Sequence, residues 1–145
     1  MSDLCARMRP AIAQAELCAK QNTDVPVGCV IYKDGRIIAS AHNTRQQNRQ
    51  TAEHAEINAI RLACQVLGDW RLTGCEMYVT LEPCPMCAGA IAAARISKLV
   101  YGCRDDSGEG GAFLLPMEMQ VYGGICAGEC AKILSAFFQQ KRTSL

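Results

Sequence analysis

The chain has 145 residues, half of them hydrophobic and a fifth charged, with 15 basic and 14 acidic side chains for a net charge of +1. That length predicts one domain over residues 1–145, and the near-zero charge excludes a protein that binds nucleic acid by bulk charge alone. No apolar run approaches the ~18 residues of a membrane helix, so no membrane span is expected. Asp3, Arg7 and Arg9 have no apolar stretch behind them, so no secretory leader is expected. Ten cysteines could imply a disulfide scaffold. Cys18, Cys64 and Cys130 instead sit inside helical apolar patterns, where cysteine behaves as a small hydrophobe, and a reduced, cytoplasmic protein is predicted.

In chain order, the spacing of Ala11, Ile12, Ala15, Cys18 and Ala19 predicts a first helix from Pro10 to about Lys20, with proline in its first turn. VGCVIYKDGRIIASAH (27–42) reads as a β-hairpin turning at Asp34-Gly35. A polar loop follows from Asn43 to Gln50. Ala52 to Leu67 is a helix ended by Gly68. Glu76 to Leu81 alternates as a strand, Cys84 to Arg95 is a helix, and Lys98 to Cys103 is a second such strand. The Gly-rich loop Asp105 to Gly111 leads into a segment without a clear period. Ala127 to Lys141 closes the chain as a helix with a stripe of Ala127, Cys130, Ala131, Leu134, Phe137 and Phe138. A hairpin followed by alternating helices and strands predicts a three-layer α/β/α domain with a mixed central sheet, its later strands parallel.

The chemistry gathers in two short motifs. Cys84 and Cys87 lie three apart in PCPMC at the start of a helix, where the helix dipole favours thiolates and the spacing suits zinc. The chain has only two histidines. One of them, His54 in AEHAE, completes three protein ligands, the number a catalytic zinc holds while keeping a position open for water. Glu56 falls in line with Ile60, Ala63 and Leu67 on the face of its helix that should be buried, away from the wet stripe of Asn58, Arg61 and Gln65. His54 and Glu56, two apart, can serve one site only if it lies off the helix's N-terminal end. Two helix N-termini would then meet over the strand ends, where open α/β sheets bind ligands. A zinc there lowers the pKa of its water to about 7, and a desolvated glutamate can carry the proton. His-x-Glu with Pro-Cys-x-x-Cys is the signature of the zinc nucleobase deaminases.

HAE at 54–56 and PCPMC at 83–87 resemble the cytidine-deaminase-like superfamily. With VPVG at 25–28, Asn43, WRLTGCEMYVTLEPCPMCAGA at 70–90 and YGCRD at 101–105, the chain resembles the bacterial tRNA adenosine deaminases, which convert the wobble adenosine of a tRNA to inosine. The likeness covers most of residues 8–142. It implies a cytidine-deaminase-like fold and one zinc ion per chain on His54, Cys84 and Cys87. It also implies that Glu56 is the catalytic proton shuttle, that Asn43 and the VPVG segment from Val25 bind the base, that the substrate is a tRNA anticodon stem-loop, and that the chain forms a homodimer. Two features depart from the family pattern: Glu53 in TAEHAE where the family reads Thr-Ala-His-Ala-Glu, and a shorter stretch between Gly111 and Ile125.

Other readings of the same residues are a zinc deaminase of a free nucleobase or nucleoside (guanine, cytosine or adenosine), a thioredoxin-like redox pair at Cys84 and Cys87, and a closed structural zinc with Cys103 as fourth ligand. The redox reading leaves His54 and the inward Glu56 without a role. By local pattern alone Asn43 is a turn residue, His42 an exposed strand end, the Phe137-Phe138 pair core, and Lys141 and Arg142 a solvated terminus. Lys33, Arg45 and Arg49 form a weak basic signal.

Overall fold

The computed structural model describes residues 3–143. Helix α1 (Asp3–Gln21) is followed by a hairpin of β1 (Gly28–Lys33) and β2 (Arg36–His42), a one-turn α2 (Arg45–Asn48), α3 (Ala55–Leu67), β3 (Cys75–Leu81), α4 (Pro85–Ala93), β4 (Lys98–Cys103), a 3₁₀ turn at Ala112–Leu114, β5 (Gln120–Tyr122) and α5 (Ala127–Thr143). The strands form one sheet in the order β2-β1-β3-β4-β5. β1 is antiparallel to β2 and β3, whereas β3, β4 and β5 run parallel. This is the mixed sheet expected from a hairpin followed by crossover units.

Two apolar clusters, one per face, make the layers. Ala55, Ala59 and Ala63 of α3 and Ala88 and Ile91 of α4 pack on Cys29, Ile31, Met77, Val79 and Leu99. Met8, Ala11 and Ile12 of α1 and Cys130 of α5 cover Val30, Tyr32, Tyr78 and Val100 on the opposite face. Strand residues alternate between these faces, which is why β1, β3 and β4 are buried on both sides and read as near-continuous hydrophobic runs. Small residues let the helices approach closely. A Cβ on Gly28 would stand 2.0 Å from the Ala11 carbonyl oxygen, and one on Gly102 would stand 2.5 Å from Cys130 Sγ.

The hairpin turns at Asp34 and Gly35, both at positive φ (51° and 77°), the backbone of a type I′ turn. Gly68 at φ 65° ends α3 as expected. Several boundaries move. α1 begins at Asp3 and carries Pro10 inside it, two turns earlier than the pattern predicts. Tertiary contacts override a proline cost of about 3 kcal/mol: Met8 is fully buried, Tyr32 Oη donates to the Arg7 carbonyl at 2.9 Å, and Arg7 pairs with Glu76 at 3.2 Å. The expected loop at 43–50 contains α2, which has no buried residue to mark it. β5 lies in the segment without a period; its three residues are all exposed, so only pairing with β4 defines it. α3 starts at Ala55 and α4 at Pro85, leaving His54 and Cys84 as their N-caps. Phe137 is buried, but Phe138 is 45% exposed and is not core. The expectation of thiols reduced throughout is also corrected, because Cys5 and Cys126 form a disulfide joining the start of α1 to the start of α5. The other eight cysteines are free. Among the described residues no helix is long and apolar enough to cross a membrane.

Candidate active site

The N-termini of α3 and α4 meet beside the end of the sheet where β1 begins and β2, β3 and β4 finish. His54 adopts an extended backbone (φ −73°, ψ 158°) as the N-cap of α3, and Cys84 (φ −73°, ψ 171°) does the same for α4, with Pro85 at the first helical position. Cap positions lie outside the helical turn, which resolves the spacing of His54 and Glu56: the imidazole leaves the chain before the helix starts, while Glu56 lies within its first turn. His54 Nδ1 stands 3.6 Å from Cys84 Sγ and 3.4 Å from Cys87 Sγ. The three ligand atoms lie within 4.8 Å of one another. Nitrogen at about 2.0–2.1 Å and sulfur at about 2.3 Å from one tetrahedral ion lie about 3.5 Å apart, so the cluster fits a single zinc-sized cation. Among the described residues no fourth ligand joins it. Cys103 belongs to the apolar cluster on the opposite face, and its thiol donates to the Thr80 carbonyl.

Electrostatics agree with the geometry. Burial, and after it the charge of Arg45, lowers the pKa of His54 and favours the neutral imidazole that binds metals. Burial, with the Glu56 carboxylate and Cys84 behind it, pushes the Cys87 thiol well up. A cation bound between these residues reverses that preference by stabilising the thiolate. Glu56 is 4% exposed, and burial raises its carboxyl to about 7, partly offset by its own backbone amide and by Cys87. A carboxyl held near neutral pH in this way can both accept and release a proton.

A cavity of 220 Å³ opens over the cluster, lined by Val25, Asn43, Arg45, His54, Glu56 and Cys84 among others. Cys87 lies buried beneath it. The anticipated site residues are therefore together. The Asn43 amide is already engaged on one side: Oδ1 accepts from Ala55 N–H at 2.7 Å and Nδ2 donates to the Val25 carbonyl at 2.8 Å. One N–H and one lone pair remain for a ligand. Of the basic signals, only Arg45 reaches the cavity; Lys33 sits at the far end of β1, about 16 Å away along the strand. His42 is half-buried with Nδ1 3.0 Å from the Asn43 carbonyl, and Lys141 Nζ donates to the Asn22 carbonyl.

Sequence reasoning missed four carboxylates of the wall: Asp24, Glu82, Asp105 and Glu109. Asp24 is 3% exposed and accepts the amides of Gln46 (2.7 Å) and Gln47 (3.1 Å), capping α2. Glu82 accepts from Asp105 N–H at 3.1 Å and Ala112 N–H at 3.3 Å, pinning the Gly-rich loop beside the site. Asp105 lines the cavity itself. Asp24 carries no periodic signal, and its buried state depends on a loop folding back across it.

A mixed sheet of this order, with a His–Cys–Cys cluster and a buried glutamate at two neighbouring helix N-termini, defines a cytidine-deaminase-like hydrolytic deaminase. The profile of the MafB19-like deaminases matches residues 3–142, and the chain belongs to that family. It is 45% identical over 144 residues to the tRNA-specific adenosine deaminase of Agrobacterium fabrum, covering 93% of each chain. A solved structure from a study of A-to-I editing by tRNA:A34 deaminases is 40% identical with a TM-score of 0.79, over 88% of this chain and 97% of that one. The guanine deaminase of Bacillus subtilis is 37% identical with a TM-score of 0.67, over 74% of this chain and 71% of that one.

Proposed function

We propose that this chain, as one deaminase domain, hydrolyses the wobble adenosine of a tRNA anticodon loop to inosine and ammonia, with one zinc ion held by His54, Cys84 and Cys87. The observation that carries the reading is that cluster beside the buried Glu56, in a chain resembling tRNA adenosine deaminases along nearly its whole length. Zinc, when bound, supplies the Lewis acidity that makes water a nucleophile near neutral pH.

The chain's own groups do the rest. Glu56 accepts the proton of the attacking water and delivers it to the ring nitrogen next to the amine-bearing carbon; it then takes the proton of the newly added hydroxyl and passes it to the departing amine, leaving the carbonyl of inosine. Asn43 donates its remaining N–H to the base, and Val25 and Val27 pack against the ring and exclude water. A loop nucleotide is already unpaired, so seating it avoids the few kcal/mol that extruding a duplex base costs. Residues flanking the cavity then add binding energy that a free nucleoside cannot use. The tRNA reading implies a cytoplasmic enzyme. A homodimer, the assembly the family likeness implies, would bring a second subunit to the rim of each site.

The test is a panel: an anticodon stem-loop with wobble adenosine, free adenosine, guanine and cytosine, followed by inosine formation and ammonia release. Fast turnover of the stem-loop and slow turnover of the free compounds is expected. The likeness to the Bacillus guanine deaminase favours one second reading, a free-purine deaminase, which fast guanine turnover with an untouched stem-loop would establish.

A further inference from the structure

Glu53, the residue that departs from the family pattern, precedes a metal-site histidine yet turns its side chain away from the site. Its carboxylate accepts from Thr44 Oγ1 at 2.8 Å and Asn48 Nδ2 at 2.8 Å, with Arg61 behind it at 3.5 Å. Its backbone carbonyl accepts Thr44 N–H at 3.0 Å, so the start and end of the 44–53 segment are tied together twice. Asn58 Nδ2 adds a bond to Thr44 Oγ1 at 2.9 Å. The segment thus closed carries Arg45 and Gln46 into the cavity wall. Residues 45–51 are all exposed and bury nothing. Apolar packing therefore contributes little to their order, and two carboxylates hold them instead: Asp24 from the cavity side and Glu53 from the helix side.

We propose that Glu53 is a positioning residue for the RNA substrate: it clamps the 44–50 segment against α3 so that Arg45 and Gln46 stay at the cavity mouth, where a bound loop's sugar-phosphate backbone must pass. This rests on the RNA reading above. The metal cluster does not depend on the clamp, because His54 is held by its own bond to the Ala52 carbonyl at 2.9 Å and by capping α3 through Asn58 N–H at 3.0 Å. Loss of the Glu53 carboxylate should therefore loosen binding without disturbing the chemistry. Gln retains an acceptor oxygen for Thr44 and Asn48 and should restore most of the clamp.

The experiment is steady-state kinetics of the zinc-loaded full chain on the anticodon stem-loop, for the parent, Glu53→Ala, Glu53→Gln and Asn48→Ala, with zinc content measured for each. For Glu53→Ala, KM should rise about tenfold with kcat held within about twofold, the pattern of lost binding that ground and transition states share. Asn48→Ala removes one of the two bonds at an exposed side chain with no threat to folding, and should raise KM about threefold. Glu53→Gln should return KM to near the parent value. Unchanged KM in both Ala variants, or a fall in kcat with KM constant, overturns the proposal, as does loss of zinc from Glu53→Ala. The parent's own turnover of the stem-loop judges the RNA reading separately: if the parent ignores RNA, that reading and the clamp's role in it both fall, whereas an active parent with indifferent variants removes the clamp alone.

Discussion

Replacing Glu56 by Gln should stop turnover and at the same time stabilise the metal-free fold. The carboxyl is buried beneath the cavity, and burial raises it from 4.5 to about 7. Below pH 4.5 it is protonated in both folded and unfolded chains and contributes no pH dependence. Between 4.5 and about 7 the unfolded chain ionises while the folded one does not, so stability falls as pH rises and then levels off. At 1.36 kcal/mol per unit, the accumulated loss by about pH 8 is about 3 kcal/mol. An amide of the same shape escapes it. In a chain of this size that difference moves the melting temperature by about 10 °C. The assay is thermal unfolding of chelator-treated parent and Glu56→Gln at about pH 8 and at about pH 4, near the unfolded carboxyl's own range. A gain at the higher pH that vanishes at the lower one is expected, alongside a fall in deamination of about 10⁴-fold in the zinc-loaded variant, since general acid–base groups contribute 10²–10⁴. Equal stability of the two proteins at the higher pH would refute desolvation of Glu56 as the source of its shift.

Other consequences follow from particular contacts. Cys87→Ala removes one of the three candidate ligands, and metal analysis of the purified proteins should find about one zinc per chain in the parent and well under one in the variant. Gly28→Ala pushes a Cβ into the Ala11 carbonyl 2.0 Å away, and denaturant unfolding should show a loss of about 3 kcal/mol; a change within about 0.5 kcal/mol would show that α1 can yield there. Asn43→Ala cuts the bridge from the Val25 carbonyl to Ala55 N–H, and should cost about 1–2 kcal/mol in thermal unfolding while raising KM for the stem-loop.

The gathering of His54, Cys84 and Cys87 was legible because its chemistry is written locally. PCPMC sets two sulfurs at one helix start, and the burial of Glu56 follows from its phase with Ile60, Ala63 and Leu67. The sheet was legible for the same reason: Asp34-Gly35 allows little but a tight hairpin, and each later strand is a short apolar run between helices. What escaped depends on partners distant in sequence. Met8 and Pro10 lie within α1 because Tyr32 and Glu76 hold Arg7 from the sheet. β5 is three exposed residues whose only claim to be a strand is β4 beside it. Asp24 looks like any loop aspartate until the 44–50 segment folds over it, and Glu53 stands out in TAEHAE without revealing that Thr44 and Asn48 are what it holds. The Cys5–Cys126 bond joins residues 121 apart, a pairing that no spacing rule reaches.

The proposed reaction is hydrolysis of one adenosine in an RNA loop by the site at His54, Glu56, Cys84 and Cys87. Its most direct test is mass spectrometry of an anticodon stem-loop carrying adenosine at the wobble position and elsewhere, incubated with the zinc-loaded chain in heavy-oxygen water. Inosine at the wobble position alone, bearing one heavy oxygen on the former amine-bearing carbon and absent with Glu56→Gln, is the predicted result. An unmodified loop in the presence of fully zinc-loaded, folded protein, or inosine formed equally well by Glu56→Gln, would contradict it.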